Sequence, residues 1–289
     1  MKEAYEVMPK RKQKSTDEFA SWRSYWDFRR EVAREWRYTW SDSARAFLTT
    51  VVRESHSRVA KVSKGAHFYR AQVAHHDVYD PNVDDAFPGP ALPERMRPLA
   101  GRASEGRANP KGIPCLYMAV DRHTALAECR PWIGSLVSIG AFKINRDLKV
   151  VDCTMGTDRH LLFLDGEPTA KKKSESVWAD IGRAFRAPVM RDDNTADYAP
   201  TQVIAEAFHR EGFDGVAYRS SFGTDRFNLA IFDLDAASIV MNELHEIKDV
   251  EFKFDQTANP YYVQAGNDGR NTLVQNVITS ISPVEPSSN

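Results

Sequence analysis

The stretch GRANPKGIPCLYMAVDRHTALAE, residues 106–128, sets the reading of the whole chain. It opens on turn formers: Gly106, Asn109, Pro110 and Gly112 fall within seven residues and leave no room for a regular element. Residues 113–120 are then almost wholly apolar and predict a short strand. Asp121 has the side chain to cap a helix over 122–130, which Pro131 stops. Two polar residues stand among apolar neighbours here, Tyr117 in the strand and Glu128 in the helix. A carboxylate in the setting Thr-Ala-Leu-Ala-Glu-Cys lies at the helix's solvent edge or is aimed into a cleft.

Working downstream, strands are predicted at 136–144 and 148–152. A helix near 175–186 carries Val177, Trp178, Ile181 and Phe185 on one face. Pro200 suits the first position of a further helix and Gly212 its end, with Val203, Ile204, Ala207 and Phe208 as the inner stripe. Strands follow at 215–220 and 227–233, and strand-like pieces at 261–264 and 273–281.

Upstream, Gly65 marks a change of period and 67–71 reads as a strand ending near Arg70. Residues 74–112, rich in Pro, Gly, Asp and Arg, read as one long loop. The first 14 residues are polar and basic and are expected to be disordered. Ser15 and Glu18 have capping-box spacing. Phe19, Trp22, Trp26, Ala33, Trp36 and Trp40 then recur at three- and four-residue steps and predict one buried helix face. A second helix from Ser43 would turn Phe47, Leu48, Val51 and Val52 inward. Residues 15–62 therefore read as a helical hairpin packed on the main domain, or as a surface for a partner or a second copy. Strands and helices without regular alternation give an α+β class, divided as 1–14, 15–62, 63–245 and 246–289.

With 289 residues and 42% hydrophobic content the chain can bury a real core. A net charge of -1 supplies no overall basic field for nucleic acid, and the runs at Lys10–Lys12 and Lys171–Lys173 read as solvated surface. Cys115, Cys129 and Cys153 have neither disulfide nor zinc spacing. The N-terminus lacks a signal-peptide pattern and no run of about 18 apolar residues occurs, so the expected home is the cytoplasm, with no membrane. GxGxxG opening a helix, GxxxxGK[ST], HExxH, paired CxxC and GxSxG are all absent. His75-His76-Asp77 is a poor metal cluster, because adjacent residues of an extended segment point apart.

The quoted stretch resembles the central motif of the RES-domain family, named for an Arg, a Glu and a Ser. A second block strengthens the likeness: Tyr198-Ala-Pro-Thr-Gln202, Ile204-Ala-Glu206, Gly212-Phe-Asp-Gly-Val-Ala-Tyr-Arg-Ser-Ser221, then Asn228 and Phe232-Asp233. Together the blocks span roughly residues 65–240. The resemblance implies a fold akin to ADP-ribosyltransferases and a toxin activity that depletes NAD⁺, with NAD⁺ as substrate and no bound cofactor or metal. It places the family's Arg on Arg70, its Tyr on Tyr117, its Glu on Glu128 and its Ser on Ser220, with Ser221 as the fallback. It implies, too, an antitoxin partner with a helix-turn-helix domain. Ala108 stands where the family often has a larger residue, and the approach to Asn228 has only Gly223.

These residue types suit the reaction. Nicotinamide is a cationic pyridinium that departs neutral, and the ribose left behind becomes oxocarbenium-like. A fixed carboxylate stabilises that charge, the role given to Glu128. An arginine fork fits a pyrophosphate, which suits Arg70 with Arg107 as second candidate. Tyr117 offers a flat face with a hydroxyl at its rim. Ser220 would bind a ribose or amide group. Tyr69, Asn109, Ser221 and Asn228 complete the candidate substrate contacts. The acceptor (water, phosphate or a macromolecule's side chain) stays open, as does a non-catalytic binding role.

Overall fold

The computed structural model describes residues 18–99, 101–157, 163, 166–187, 195–223, 225–257, 260–265 and 270–275. The chain divides into two units, Met1–Lys248 and Asp249–Asn289. The first holds α1 (Ser24–Arg30), α2 (Asp42–Ser55), β1 (Val59–Val62), β2 (His67–Gln72), β3 (His75–Asp80), β4 (Asp85–Pro90), β5 (Leu116–Ala119), α3 (Arg122–Cys129), β6 (Leu136–Ile144), β7 (Leu148–Asp152), α4 (Ala170–Arg186), α5 (Ala199–Arg210), β8 (Gly215–Arg219), β9 (Phe227–Ile231) and β10 (Ala237–Glu246). The second holds the antiparallel pair β11 (Tyr261–Ala265) and β12 (Asn271–Gln275). Among the described residues no helix is long and apolar enough to cross a membrane.

Eight strands form one mixed sheet in the order β1-β7-β8-β9-β5-β2-β6-β10. Every pairing is antiparallel except β7 with β8. Strand period sorts the side chains onto two faces. Val151, Val216, Tyr218 and Ala230 meet the helices, in a core with Phe28, Phe47, Trp178, Ile181 and Phe208. Their neighbours Val150, Ala217, Leu229 and Ile231 point the other way, onto Phe68, Met96, Phe142 and Ile144. Helix ends follow the sequence. Asp121 accepts from the Thr124 amide at 2.8 Å to cap α3. α5 ends in a Schellman motif: the Phe213 amide reaches the Phe208 carbonyl and the Gly212 amide that of His209, with Gly212 at φ 90.

Four expectations are corrected. The buried face of the N-terminal helix is Tyr25, Phe28 and Val32, with Phe19 before it; Trp26 is 50% and Trp36 61% exposed. Two stripes shared the same spacing, and a seven-residue α1 followed by a π turn at Glu31–Glu35 selects the phase without the tryptophans. Arg29 lies over the Trp26 ring at 5.7 Å, which lets that ring remain at the surface. Secondly, the helical segment does not run to 62: β1 is a sheet strand paired with β7, and α1 and α2 share the main core. Thirdly, residues 74–112 are not one loop, since β3 and β4 form a hairpin. Fourthly, β10 lay unread between 233 and 250; at the sheet edge its residues are largely exposed and carry no apolar alternation. Residues 1–17, including the expected disorder and most of the capping box, and the end of the 273–281 segment lie outside the described residues.

Candidate active site

Adjacent strands and one helix end build the site. Ala119 of β5 pairs with Asn228 of β9, and Asn228 pairs with Tyr218 of β8. Paired residues share a face, so Tyr117, Asn228 and Tyr218 project to the same side of the sheet. Tyr69 joins them through its pairing with Ala119. α3 leaves β5 at once through the Asp121 cap, which brings Glu128 in its last turn back over this side.

Glu128 Oε1 accepts two hydrogen bonds, from Ser220 Oγ at 2.8 Å and Asn228 Nδ2 at 2.6 Å. No described residue donates to Oε2. The two donors are buried, Ser220 at 1% and Asn228 at 4% exposure, while Glu128 is half-buried. Ser220 is itself fixed: its amide donates to the Arg226 carbonyl at 2.9 Å and its Oγ accepts from the Phe222 amide at 3.1 Å. Ser221 points elsewhere and donates to the Arg186 carbonyl at 2.7 Å. Of the two serines the structure brings Ser220 onto the carboxylate.

Tyr117 and Asn109 form a second cluster. Tyr117 Oη donates to Asn109 Oδ1 at 2.6 Å and accepts from the Ala108 amide at 2.8 Å. Asn109 Nδ2 donates to the carbonyls of Ser104, Pro110 and Ile113. Gln202 Nε2, from α5, donates to the carbonyls of Gly106 and Asn109 at 2.9 and 3.0 Å. Burial of the Tyr117 hydroxyl raises its pKa well above the ordinary value, so it stays neutral. Gly106 is required here, because a Cβ would sit 2.6 Å from that hydroxyl. Asn109 thus spends its Nδ2 on carbonyls of its own loop and its Oδ1 on Tyr117 of β5, and the Tyr117 hydroxyl bonds to Ala108 and Asn109 of that loop. Both residues shape the loop that carries Arg107.

Arg107 lies over the Tyr218 ring at 5.7 Å. Arg70 donates from Nη1 to the Tyr117 carbonyl at 3.1 Å, and its Nε is buried without a partner. Burial lowers its pKa from the usual guanidinium value. It makes no hydrogen bond to Glu128, Ser220 or Asn228. Instead it lines a cavity of about 170 Å³ with Arg95, Arg97 and Arg102. Tyr69 is half-buried beneath Arg122, whose guanidinium lies 4.8 Å from the ring. Burial pushes the Cys129 thiol, beside Glu128 in sequence, up to about 11, so it stays protonated at neutral pH.

Sequence reasoning gave Gln202 no role, although an amide within the wholly buried run 199–205 of α5 was the available signal. Arg95, Arg97 and Arg102 carried no such signal; their segment read as loop.

The RES domain profile matches residues 67–255. Among solved structures, the chain is similar to a chain in the crystal structure of the M. tuberculosis MbcT-MbcA toxin-antitoxin complex, at 14% identity and a TM-score of 0.38, covering 68% of this chain and 92% of that one. No curated protein matches the chain. The profile spans more than half of the sequence and contains Arg70, Tyr117, Glu128, Ser220 and Asn228: the chain belongs to the RES-domain family.

Proposed function

We propose that this protein is a toxin-like enzyme that cleaves the nicotinamide–ribose bond of NAD⁺, on a fold akin to ADP-ribosyltransferases. The observation that carries the reading is the asymmetry at Glu128: Oε1 is anchored by Ser220 and Asn228, and no described residue donates to Oε2. Two fixed donors hold the carboxylate before substrate arrives, so little reorganisation is needed when positive charge develops. As the C–N bond breaks, its electron pair leaves with nicotinamide, which becomes neutral. The ribose gains oxocarbenium character, which the Glu128 carboxylate stabilises. An acceptor oxygen then bonds to the ribose carbon and releases its proton.

In this reading Ser220 and Asn228 position Glu128 rather than attack the substrate. Arg107, mounted on the Tyr117–Asn109 loop over the buried Tyr218 ring, supplies a fork for the pyrophosphate. Arg70 supplies a further cation. An antitoxin with a helix-turn-helix domain would silence the enzyme in its cytoplasmic host.

Incubation of pure protein with NAD⁺, with and without inorganic phosphate, tests this by product mass. Nicotinamide with ADP-ribose indicates water as acceptor, and nicotinamide with ADP-ribose phosphate indicates phosphate. A mass gain on protein indicates ADP-ribosyl transfer, and intact NAD⁺ in every arm contradicts the proposal.

A further inference from the structure

The β8–β9 hairpin holds α3 at both ends. At the C-terminal end Glu128 meets Ser220 and Asn228. At the N-terminal end Arg226 Nη1 donates to three acceptors: His123 Nδ1 at 2.7 Å, Thr124 Oγ1 at 3.2 Å and Asp121 Oδ1 at 3.3 Å. A guanidinium only donates, so His123 Nδ1 takes that bond as an acceptor. Asp121 and Thr124 are also the residues that cap the helix.

α3 depends on such ties. It has eight residues, and among its side chains Thr124 and Ala125 are buried. Two turns have little stability alone, and so shallow a burial fixes their position weakly. The helix dipole disfavours a cation at this end. Arg226 therefore does not serve the helix in isolation; paired with the Asp121 carboxylate, it joins the helix to the hairpin. The loop is shaped around its side chain. Gly223 and Asp225 take left-handed backbone, at φ 96 and φ 59, and a Cβ on Gly223 would lie 3.0 Å from Arg226 Cδ. The Arg226 carbonyl meanwhile accepts from the Ser220 amide at 2.9 Å. One residue thus grips Ser220 through its backbone and α3 through its side chain.

We propose that Arg226 is a positioning residue for Glu128: the tie from its guanidinium to α3 sets the separation between Ser220 Oγ and Glu128 Oε1. Its effect on turnover rests on the NAD⁺-cleavage reading above. Its effect on the carboxylate is read separately, by structure.

Arg226→Met keeps the stem beside Gly223 and removes the donors and the charge. Arg226→Lys keeps a charge and a shorter donor. Nicotinamide release from NAD⁺ is measured for wild type, both variants, Ser220→Ala and the Ser220→Ala/Arg226→Met pair, each checked by circular dichroism. Small displacements of a working group cost up to about 100-fold. Arg226→Met should therefore lose roughly 10- to 100-fold in kcat with KM within about twofold of wild type. Arg226→Lys should fall between the two with the same split, and it carries the test if Arg226→Met does not fold. The paired variant should be within about threefold of Ser220→Ala, because both changes loosen one hydrogen bond. In a crystal structure of Arg226→Met, or of Arg226→Lys in its place, Ser220 Oγ and Glu128 Oε1 should separate beyond about 3.5 Å. An unchanged kcat in the folded variants, a rise in KM alone, or losses that multiply in the paired variant overturns the proposal. Without nicotinamide release from wild type the cleavage reading fails, and the crystal structure decides the positioning by itself: an intact Ser220–Glu128 bond overturns it.

Discussion

Ser220 donates its hydroxyl proton to Glu128 Oε1 at 2.8 Å, across 92 residues of sequence. The bond joins the end of β8 to the last turn of α3, and Asn228 of β9 closes on the same oxygen. One carboxylate oxygen is therefore held by two donors, and no described residue donates to the other.

The two serines separate experimentally. Ser220→Ala removes one of the two donors to Glu128 and an acceptor for the Phe222 amide. A hydrogen bond to a charged acceptor contributes about 1.5–3 kcal/mol, so kcat/KM for NAD⁺ should fall roughly 10- to 100-fold. Ser221→Ala loses only its bond to the Arg186 carbonyl and should turn over like wild type. Steady-state kinetics that show Ser221→Ala as the more damaged variant would reverse the assignment.

Tyr117→Phe should act first on stability. It strands the Ala108 amide and Asn109 Oδ1 in a buried loop. The expected cost is about 1–3 kcal/mol, read from urea denaturation. A variant as stable as wild type with reduced activity would return the hydroxyl to a ligand-binding role.

The N-terminal helices are core elements. Phe28 is buried against Phe47, with ring centroids 4.6 Å apart. Phe28→Ala should cost about 3–5 kcal/mol, measured by denaturation, and Trp26→Ala far less because that ring is half exposed. Equal losses would contradict the buried face assigned here.

Asp121, at the site's edge, contributes to acid stability. Partial burial pushes the Asp121 carboxyl up, but hydrogen bonds from the Thr124 amide and hydroxyl, with the charges of Arg226 and His123, outweigh it and hold the pKa below the ordinary value. A depressed pKa gives stability that is full above the unfolded value of about 3.9 and is lost as pH falls through the folded value. Asp121→Asn keeps a capping side chain but cannot ionise. Its stability should decline less than that of wild type between about pH 5 and about pH 3; parallel declines would remove Asp121 from the account.

Much of the sheet was legible because its strands announce themselves. β6 and β7 are apolar runs bounded by turn residues, and the structure has them at the predicted positions. α3 was equally plain from Asp121 and Pro131. The N-terminal phase was not, since Tyr25, Phe28 and Val32 recur at the same steps as the tryptophans and only tertiary packing chooses between them. β3, β4 and β10 escaped notice because exposed strands lack the apolar period that marks buried ones. At the site, the apolar setting of Glu128 singled it out and the family resemblance placed the serine on Ser220, but no local rule says that Ser220, Asn228 and Glu128 meet. Sheet order decides that, and it also commits Asn109 and the Tyr117 hydroxyl to a loop.

Nicotinamide release from NAD⁺ by wild type and Glu128→Gln, with matched circular dichroism spectra, tests the central claim most directly. The account predicts release by wild type and a fall of roughly 100- to 1,000-fold or more in the folded variant, the range expected when a preorganised electrostatic group is lost. Undiminished release by folded Glu128→Gln, or none from wild type, would contradict it.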